Sequence, residues 1–585
     1  MISHNWERVR RELQELSRTA IPTLLGMVIS KIPWLVTLRF VGQLGATELA
    51  AATLAMTLRN LTGLSLSVGL SSALATLTSQ SCGQLQAKLA ERKNQKQKQT
   101  EGADDLQLTM EYETDVETDE VEERLGFLER RRDGFMSSSA RPREPLLPLV
   151  YYYRGIFLQL AFVVPILLWW WKGLRRFLVA LGQEEQLAAK TDAYLRILAP
   201  GLIFYSINWT TIVWLQSIEM AFLPAYASCV GALFHIPLNM FFIHFMGWGY
   251  LGAAAATTTY ELIQPTLLLA YTFGTRAGSD RVLHNIAASA VDRYELSFWQ
   301  ESTMAVSSWT GVKEYLGLAI PGLVSISEWW ASETCIFLSG RLTPLPELTL
   351  GAMALFQTIN TFCFMLPVSF GIAGAARVGS LLGRNDPCAA SFAGLVSVAS
   401  ASSVSALIGI MLFIIPHGFF PSLFAPDEDD LIKETMKTIP LLALYVFADG
   451  TQTALNGVIK GCGRQAVAMP AVIVSYWVVG VPMAYYLAFV RHPGTGTCDD
   501  GYFCGVVGLV AGTTTGTWLH MILFGVVVFS FTNWEEQAEK AQFRVRKELH
   551  AAPTMSFSSS ETIEAEGDEE VELTEVPEME SSTDG

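Results

Sequence analysis

Apolar runs of about 20 residues or more recur twelve times along the chain, and a helix of that length spans the roughly 30 Å hydrocarbon core of a bilayer. Lipid satisfies no backbone N–H or C=O, so each run must close its hydrogen bonds within itself. The fold class expected is therefore an all-α polytopic membrane protein. The runs fall near 19–41, 47–80, 149–171, 191–217, 221–245, 250–274, 314–340, 347–380, 389–420, 432–459, 466–490 and 505–531. Between and beyond them lie a polar segment 1–18, an insert 84–148, a linker 275–311 and a Glu- and Ser-rich tail 532–585. The insert and the tail are polar enough to be expected disordered and solvent-facing.

Composition agrees with a membrane chain, since 50% of the 585 residues are hydrophobic and only 16% charged. The net charge of −16 is largely local: the last 35 residues hold 11 acidic and no basic side chains. Nothing in this balance points to nucleic acid. The N-terminus is polar, with no apparent cleavable signal peptide, so insertion would begin with the first span. Basic residues near span ends, from Arg8, Arg10 and Arg11 to Arg544, Arg546 and Lys547, place both termini on the cytoplasmic side. Lys172, Arg175, Arg176 and Arg491 run against that assignment.

The two halves repeat. Ala20-Ile21-Pro22 and Ala319-Ile320-Pro321 share an offset of 299, as do Glu48-Leu49 and Glu347-Leu348. Near the end of each half, GYLGAAAATTT from Gly249 is echoed by GVVGLVAGTTT from Gly505. The expected architecture is two pseudo-symmetric six-helix lobes, 19–274 and 312–531, in the same orientation.

The seventh run, LGLAIPGLVSISEWWASETCIFLSGRL, carries Glu328 and Glu333 near its middle, with Ser332 on the face of Glu328. A carboxylate at mid-membrane costs about 2.5–3.5 kcal/mol on insertion scales, so it marks an ion or solute path. The two glutamates lie about 140° apart around the helix and do not form one site by themselves. On the tenth run Asp449, Gln452, Thr453, Asn456 and Lys460 follow a helical period and share one face. Glu328 and Asp449 are expected to face one cavity. Glu333 is assigned a supporting place, and Lys460 is expected to snorkel to the cytoplasmic interface. An apolar surrounding favours the neutral form of a carboxyl group, as proton-coupled exchange requires. At the same offset of 299, Glu328 and Glu333 correspond to Ile29 and Trp34, so the carboxylates are not duplicated and the chemistry is asymmetric.

Other signals are weaker. His235 and His244 read as packing or hydrogen-bonded side chains, no His or Cys cluster has metal spacing, and no metal site is expected. Arg39 and Arg59 are expected to be structural. Asn60 and Asn208 head glycosylation sequons inside apolar spans, where they should be unused, and remain candidates for lining the cavity. Of eight cysteines, six (Cys82, Cys229, Cys335, Cys363, Cys388, Cys462) read as buried inert thiols. Cys498 and Cys504 share a polar loop and are either a disulfide or two free thiols. There is no phosphate-binding GxxxxGK[ST] loop, and no nucleophile and base have motif support, so neither an ATP-driven pump nor an enzyme is expected.

These residues resemble the multidrug and toxic compound extrusion (MATE) transporters, particularly the eukaryotic branch. The likeness runs through VGQLGATELAAATLA, SSALATLTSQSCGQ, PGLVSISEWWASETCIFLSG, LPVSFGIAGAARVGSLLGRNDPCAA, ADGTQTALNGVIKGCGRQ and YWVVGVPMAYYLAF to WEEQAEKAQFRV. It covers about residues 15–545 apart from the insert and linker. The resemblance implies alternating-access export of organic solutes, with Glu328, Glu333 and Asp449 matching acidic residues tied to proton coupling. Gln80 and Gly83 match the family's Q-x-x-G. Ala75 stands where many relatives have aspartate, and Thr358 where some animal members have glutamate.

The sequence is therefore identified as a proton-coupled antiporter of organic solutes, cations or xenobiotics and metabolites, in a plasma or vacuolar membrane. It is expected to act as a monomer driven by a proton gradient without a cofactor. Sodium coupling, lipid-linked flipping and a channel or receptor are the alternatives.

Overall fold

The computed structural model describes residues 2–112, 145–180, 183–287, 298–425, 428–491 and 502–551, and among these the backbone is almost wholly helical with no β-strand. The first six crossings are α1 (Ile2–Gly42), α2, α3 (Leu147–Ala180), α4 (Glu185–Ser217), α5 (Phe222–Phe245) and α6 (Tyr250–Gly274). Helix α2 joins Ala46–Arg59 through a π-helical turn, Asn60–Leu64, to Ser65–Tyr112. Two short helices, α7 (Arg276–Ala287) and α8 (Phe298–Ser307), fall in the linker. The seventh crossing is broken into α9 (Trp309–Ser325) and α10 (Ser327–Ser339). There follow α11 (Pro346–Gly383), α12 (Pro387–Ile414), the short α13 (Phe419–Phe424) and α14 (Asp429–Met436), then α15 (Ile439–Cys462), α16 (Gln465–Val490) and α17 (Gly505–Phe529). A final helix, α18, spans Trp534–Ala551.

Nine helices among the described residues are long and apolar enough to cross a membrane. The other three crossings, α6, α9–α10 and α15, contain Glu261, the break and Glu328, and Asp449 respectively. These are the places where polarity or a break interrupts the apolar pattern, and the twelve crossings expected are otherwise present.

Each lobe has its own core. In the N-terminal lobe Leu70, Leu74, Tyr151, Tyr152 and Trp214 pack together, and Tyr315, Leu318 and Ala319 of α9 join the same cluster. Cys335 of α10 packs instead with Phe356, Leu442 and Tyr445, and Ala331 with Leu455 and Phe524. The first half of the broken seventh crossing thus packs against the N-terminal lobe as well as against Gln465–Val472 of the C-terminal lobe, and the second half packs in the C-terminal lobe.

The lobes touch closely at one end, where small residues let backbones approach, as is usual between membrane helices. A Cβ at Gly83 would collide with the Ser380 carbonyl, and one at Gly383 with the Gln80 carbonyl. The same end carries Gln86, which donates to the Asn285 carbonyl at 2.7 Å, and the Arg377–Glu12 pair at 2.9 Å.

Three expectations change. The insert does not leave regular structure at 84, because α2 continues to Tyr112; its Lys, Gln and Glu side chains are polar but good helix formers. Residues 113–144 lie outside the described set. The tail is not uniformly open either, since α18 is docked with Gln537, Ala538, Ala541, Val545 and Glu548 buried on one face. Among the six free cysteines Cys388 is exposed, and Cys229 and Cys363 are only half-buried.

Candidate functional site

The break at Ile326 positions the first carboxylate. Ile326 N–H bonds back to the Leu323 carbonyl and Trp329 N–H to the Ile326 carbonyl, while the Ser325 hydroxyl donates to the Pro321 carbonyl at 2.9 Å. The helix restarts at Ser327, which leaves Glu328 in the first turn of α10. A carboxylate there meets the positive end of the helix dipole and free backbone N–H groups.

Glu328 Oε2 lies 3.5 Å from Nδ1 of His520 on α17. That ring is 1% exposed and stands edge-on to Phe524 at 72°, with centroids 4.0 Å apart. Its Nδ1 is 3.4 Å from the Tyr476 hydroxyl of α16, and that hydroxyl is 3.2 Å from Thr517 Oγ1. Tyr476 sits in a π-helical stretch, Ile473–Gly480, a distortion that often accompanies functional side chains.

Asp449 is 7% exposed and accepts from Gln452 Nε2 at 3.1 Å, and the Asn360 side chain of α11 lies beside it. One turn earlier, Tyr445 lies beside Thr517 and Ser332. A chain of polar side chains therefore runs from Asp449 beside Tyr445, through Thr517 and Tyr476, to His520 and Glu328. The two carboxyl groups act on each other electrostatically, and Lys460 is the opposite charge acting on Glu328 among the described residues. Lys460 is half-buried and within electrostatic reach of Glu328, so it faces the lobe interior and not only the interface expected for it.

Several buried atoms in this cluster have no hydrogen-bond partner: Glu328 Oε2, Gln452 Oε1, Asn360 Oδ1 and His520 Nε2. Three of the four are acceptors, so the cluster is short of donors. An arrangement of that kind takes up protons or cationic groups.

The structure brings Glu328, Ser332, Asp449 and Gln452 together. Thr453 and Asn456 remain on the same helix, half-buried. Glu333 is also half-buried, and among the described residues no ion pair reaches it. Asn60 is exposed at the π-turn of α2, and Asn208 donates to Gln264 Oε1 at 2.8 Å within the N-terminal lobe. Cys504 is disulfide-bonded, while Cys498 lies outside the described residues. No group of three or more His, Cys, Asp and Glu side chains among the described residues is placed to hold a metal ion.

Sequence reasoning missed Asn360, Tyr445, Tyr476, Thr517 and His520. The available signal was His520, an ionisable group inside the last apolar run. It also missed Glu261 of α6, which forms a buried ion pair with Arg59 of α2.

The MatE family model matches residues 22–96, 145–241 and 322–486, more than half of the chain. Protein DETOXIFICATION 12 of Arabidopsis thaliana is 26% identical over 536 residues, covering 91% of this chain and 92% of the relative. Protein DETOXIFICATION 14 of the same plant is 27% identical over 539 residues, covering 92% and 91%. The crystal structure of the eukaryotic MATE transporter AtDTX14 superimposes with a TM-score of 0.70 at 23% identity, over 92% of this chain and 99% of that one. The Vibrio cholerae MATE transporter VcmN, in its bent form, has the same fold, with a TM-score of 0.61 at 16% identity over 93% and 98% of the two chains.

Proposed function

This chain belongs to the MatE family of membrane transporters, and on that premise we propose that it exports organic solutes by proton-coupled antiport with alternating access. The observation that carries the reading is the cluster of polar side chains that brings Glu328 and Asp449 together among the described residues. Two carboxyl groups in one cluster repel when both are ionised, and a proton on either relieves that repulsion. A cationic solute competes for the same negative charge, and binding one releases the other.

The broken seventh crossing supplies the mechanical link. Its first half bridges the N-terminal lobe and Gln465–Val472, and its second half, with Glu328 in the first turn, packs in the C-terminal lobe. Protons entering from the outer or luminal side load Glu328 and Asp449 and change what α10 binds, while α9 stays against the N-terminal lobe. The two lobe arrangements then differ in proton affinity, which is the condition for a proton gradient to drive the exchange.

Organic xenobiotics or metabolites as cargo fit the names of the relatives, which carry detoxification. The protein works as a monomer in a plasma or vacuolar membrane with both termini cytoplasmic. Glu333 serves beside this site, outside the direct proton path.

The test uses proteoliposomes with proton and sodium gradients imposed separately. Glu328→Gln is expected to abolish pH-driven efflux of a cationic dye while leaving the thermal unfolding profile unchanged. Undiminished efflux in that variant would sink the mechanism, and efflux driven by sodium alone would replace the coupling ion. Large solute-independent currents would point to a channel.

A further inference from the structure

The N-terminal lobe contains a second built polar cluster that the proton site does not use. The offset of 256 between Gly249 and Gly505 sets Glu261 level with Thr517 and Gln264 level with His520. The offset of 299 sets Arg59 level with Thr358. Glu261 and Gln264 therefore hold, in the N-terminal lobe, the places that Thr517 and His520 hold at the proton site.

Arg59 and Glu261 are 3% and 7% exposed, and they pair through Arg59 Nη2 and Glu261 Oε1 alone. Arg59 Nε and Glu261 Oε2 are both buried without a hydrogen-bond partner. A guanidinium binds a carboxylate best through two parallel N–H bonds, and this pair makes one. The strongest part of the Arg59 fork is thus unfilled.

The surroundings are prepared for a ring beside that charge. The Arg59 guanidinium lies 5.5 Å over the Tyr205 ring, and Tyr205 stacks on Trp209 at 6.1 Å with an interplanar angle of 11°. Both aromatic residues are only half-buried, and Trp209 Nε1 has no hydrogen-bond partner. Asn208 and Gln264 are hydrogen-bonded at 2.8 Å, Gln264 and the Tyr260 hydroxyl at 2.9 Å, and Asn208 Oδ1 is left free. Gly201 makes room for the carboxylate, since a Cβ there would collide with Glu261 Oε2. The π-helical turn Asn60–Leu64 begins immediately after Arg59.

We propose that the Arg59–Glu261 pair is an exchangeable ion pair forming a solute subsite for the carboxylate of an aromatic organic acid or zwitterion. The incoming carboxylate takes Arg59 through Nε and Nη2, displacing Glu261, while its ring lies against Tyr205 and Trp209. Cargo with an anionic group is thereby held in one lobe while protons are exchanged in the other.

The subsite is tested by equilibrium binding of radiolabelled 4-hydroxybenzoate to the purified full-length protein, separately from proton-driven efflux. Saturable binding is expected in the wild type, displaced by unlabelled acid and not by 4-hydroxybenzyl alcohol. Glu261→Gln removes the competing carboxylate and should tighten binding about tenfold. The double variant R59Q/E261Q removes both charges together, which spares the fold an unpaired buried ion, and should lose the binding. The binding is read at equilibrium with no gradient imposed, so loss of the coupling mechanism and loss of this subsite are separate results. Absence of saturable binding in both wild type and Glu261→Gln overturns the proposal, as does undiminished binding in R59Q/E261Q.

Discussion

Removing Arg154 should undock the last helix. Its Nη2 donates to Glu548 of α18 at 2.7 Å, with both side chains 1% exposed, and its Nε donates to the Ala305 carbonyl at 3.0 Å. Arg154→Met leaves Glu548 as an unpaired buried charge, a loss of about 3–5 kcal/mol where the charge cannot escape. Here it can, because releasing α18 returns Glu548 to water. The docked-to-free ratio should therefore fall by roughly 100-fold or more. Helix α18 also holds the lobes to each other: Gln542 contacts Gln84 and the Gly383 carbonyl, and Arg544 contacts Gln80 and the Cys462 and Gly463 carbonyls. Limited trypsin digestion in mild detergent reads the free form through cleavage at Arg544, Arg546 and Lys547, at a rate that follows its population when opening is fast. Arg154→Met should speed that cleavage by a comparable factor until the helix is mostly free. Combining it with Glu548→Leu, which replaces the pair by apolar groups, should restore protection. Cleavage of the single variant within twofold of wild type, or a double variant as exposed as the single, would refute this account of the docking.

Gly83→Val should force the lobes apart at the end where Gly83 meets the Ser380 carbonyl, so a thiol probe placed at Ser81 reacts faster than in the parent protein. His520→Phe keeps the packing against Phe524 and Tyr476 but removes the nitrogen beside Glu328, and should slow pH-driven efflux about tenfold with an unchanged melting curve. Asp449→Asn should resemble Glu328→Gln in efflux assays, while Glu333→Gln, at a residue without an ion pair among the described residues, should retain at least about half of the wild-type rate.

The spans and the repeat are legible in sequence because lipid dictates helix length and duplication leaves matching proline and glycine positions. Glu328 and Asp449 stand out for a related reason, since charge is costly at mid-membrane and rarely present without use. Neutral side chains carry no such penalty, so Asn360, Tyr445 and Thr517 are invisible until folding brings them beside the carboxyl groups. The break at Ile326 is only partly readable. Pro321 and Gly322 mark the region, but the helix ends where the Ser325 hydroxyl occupies the Pro321 carbonyl and the turn tightens through Leu323. Polarity alone also misleads about the insert and the tail. Lys, Gln and Glu runs form helix readily, and α18 hides its buried face among charges that only docking distinguishes.

The two lobes solve one electrostatic problem in different ways. Glu261 is a carboxyl group at mid-membrane like Glu328, yet Arg59, 202 residues earlier in the chain, lies against it and the pair is nearly neutral. Glu328 and Asp449 have no such partner in direct contact among the described residues, only His520 at 3.5 Å and the more distant charge of Lys460. A neutral pair gives a lobe little reason to respond to pH, whereas two like charges in one cluster are the arrangement that the proposed proton coupling requires. The helices are duplicated, and positions level with each other differ, Thr517 against Glu261 and Thr358 against Arg59; on the function proposed above, that divergence is what separates proton exchange from recognition of an anionic group. Moving the arginine should therefore move the property: Thr358→Arg puts an arginine in the C-terminal lobe at the position level with Arg59, and pH-driven efflux should lose its dependence on the imposed gradient. Efflux as steep in pH as the wild type would show that the charge balance of a lobe does not set its coupling.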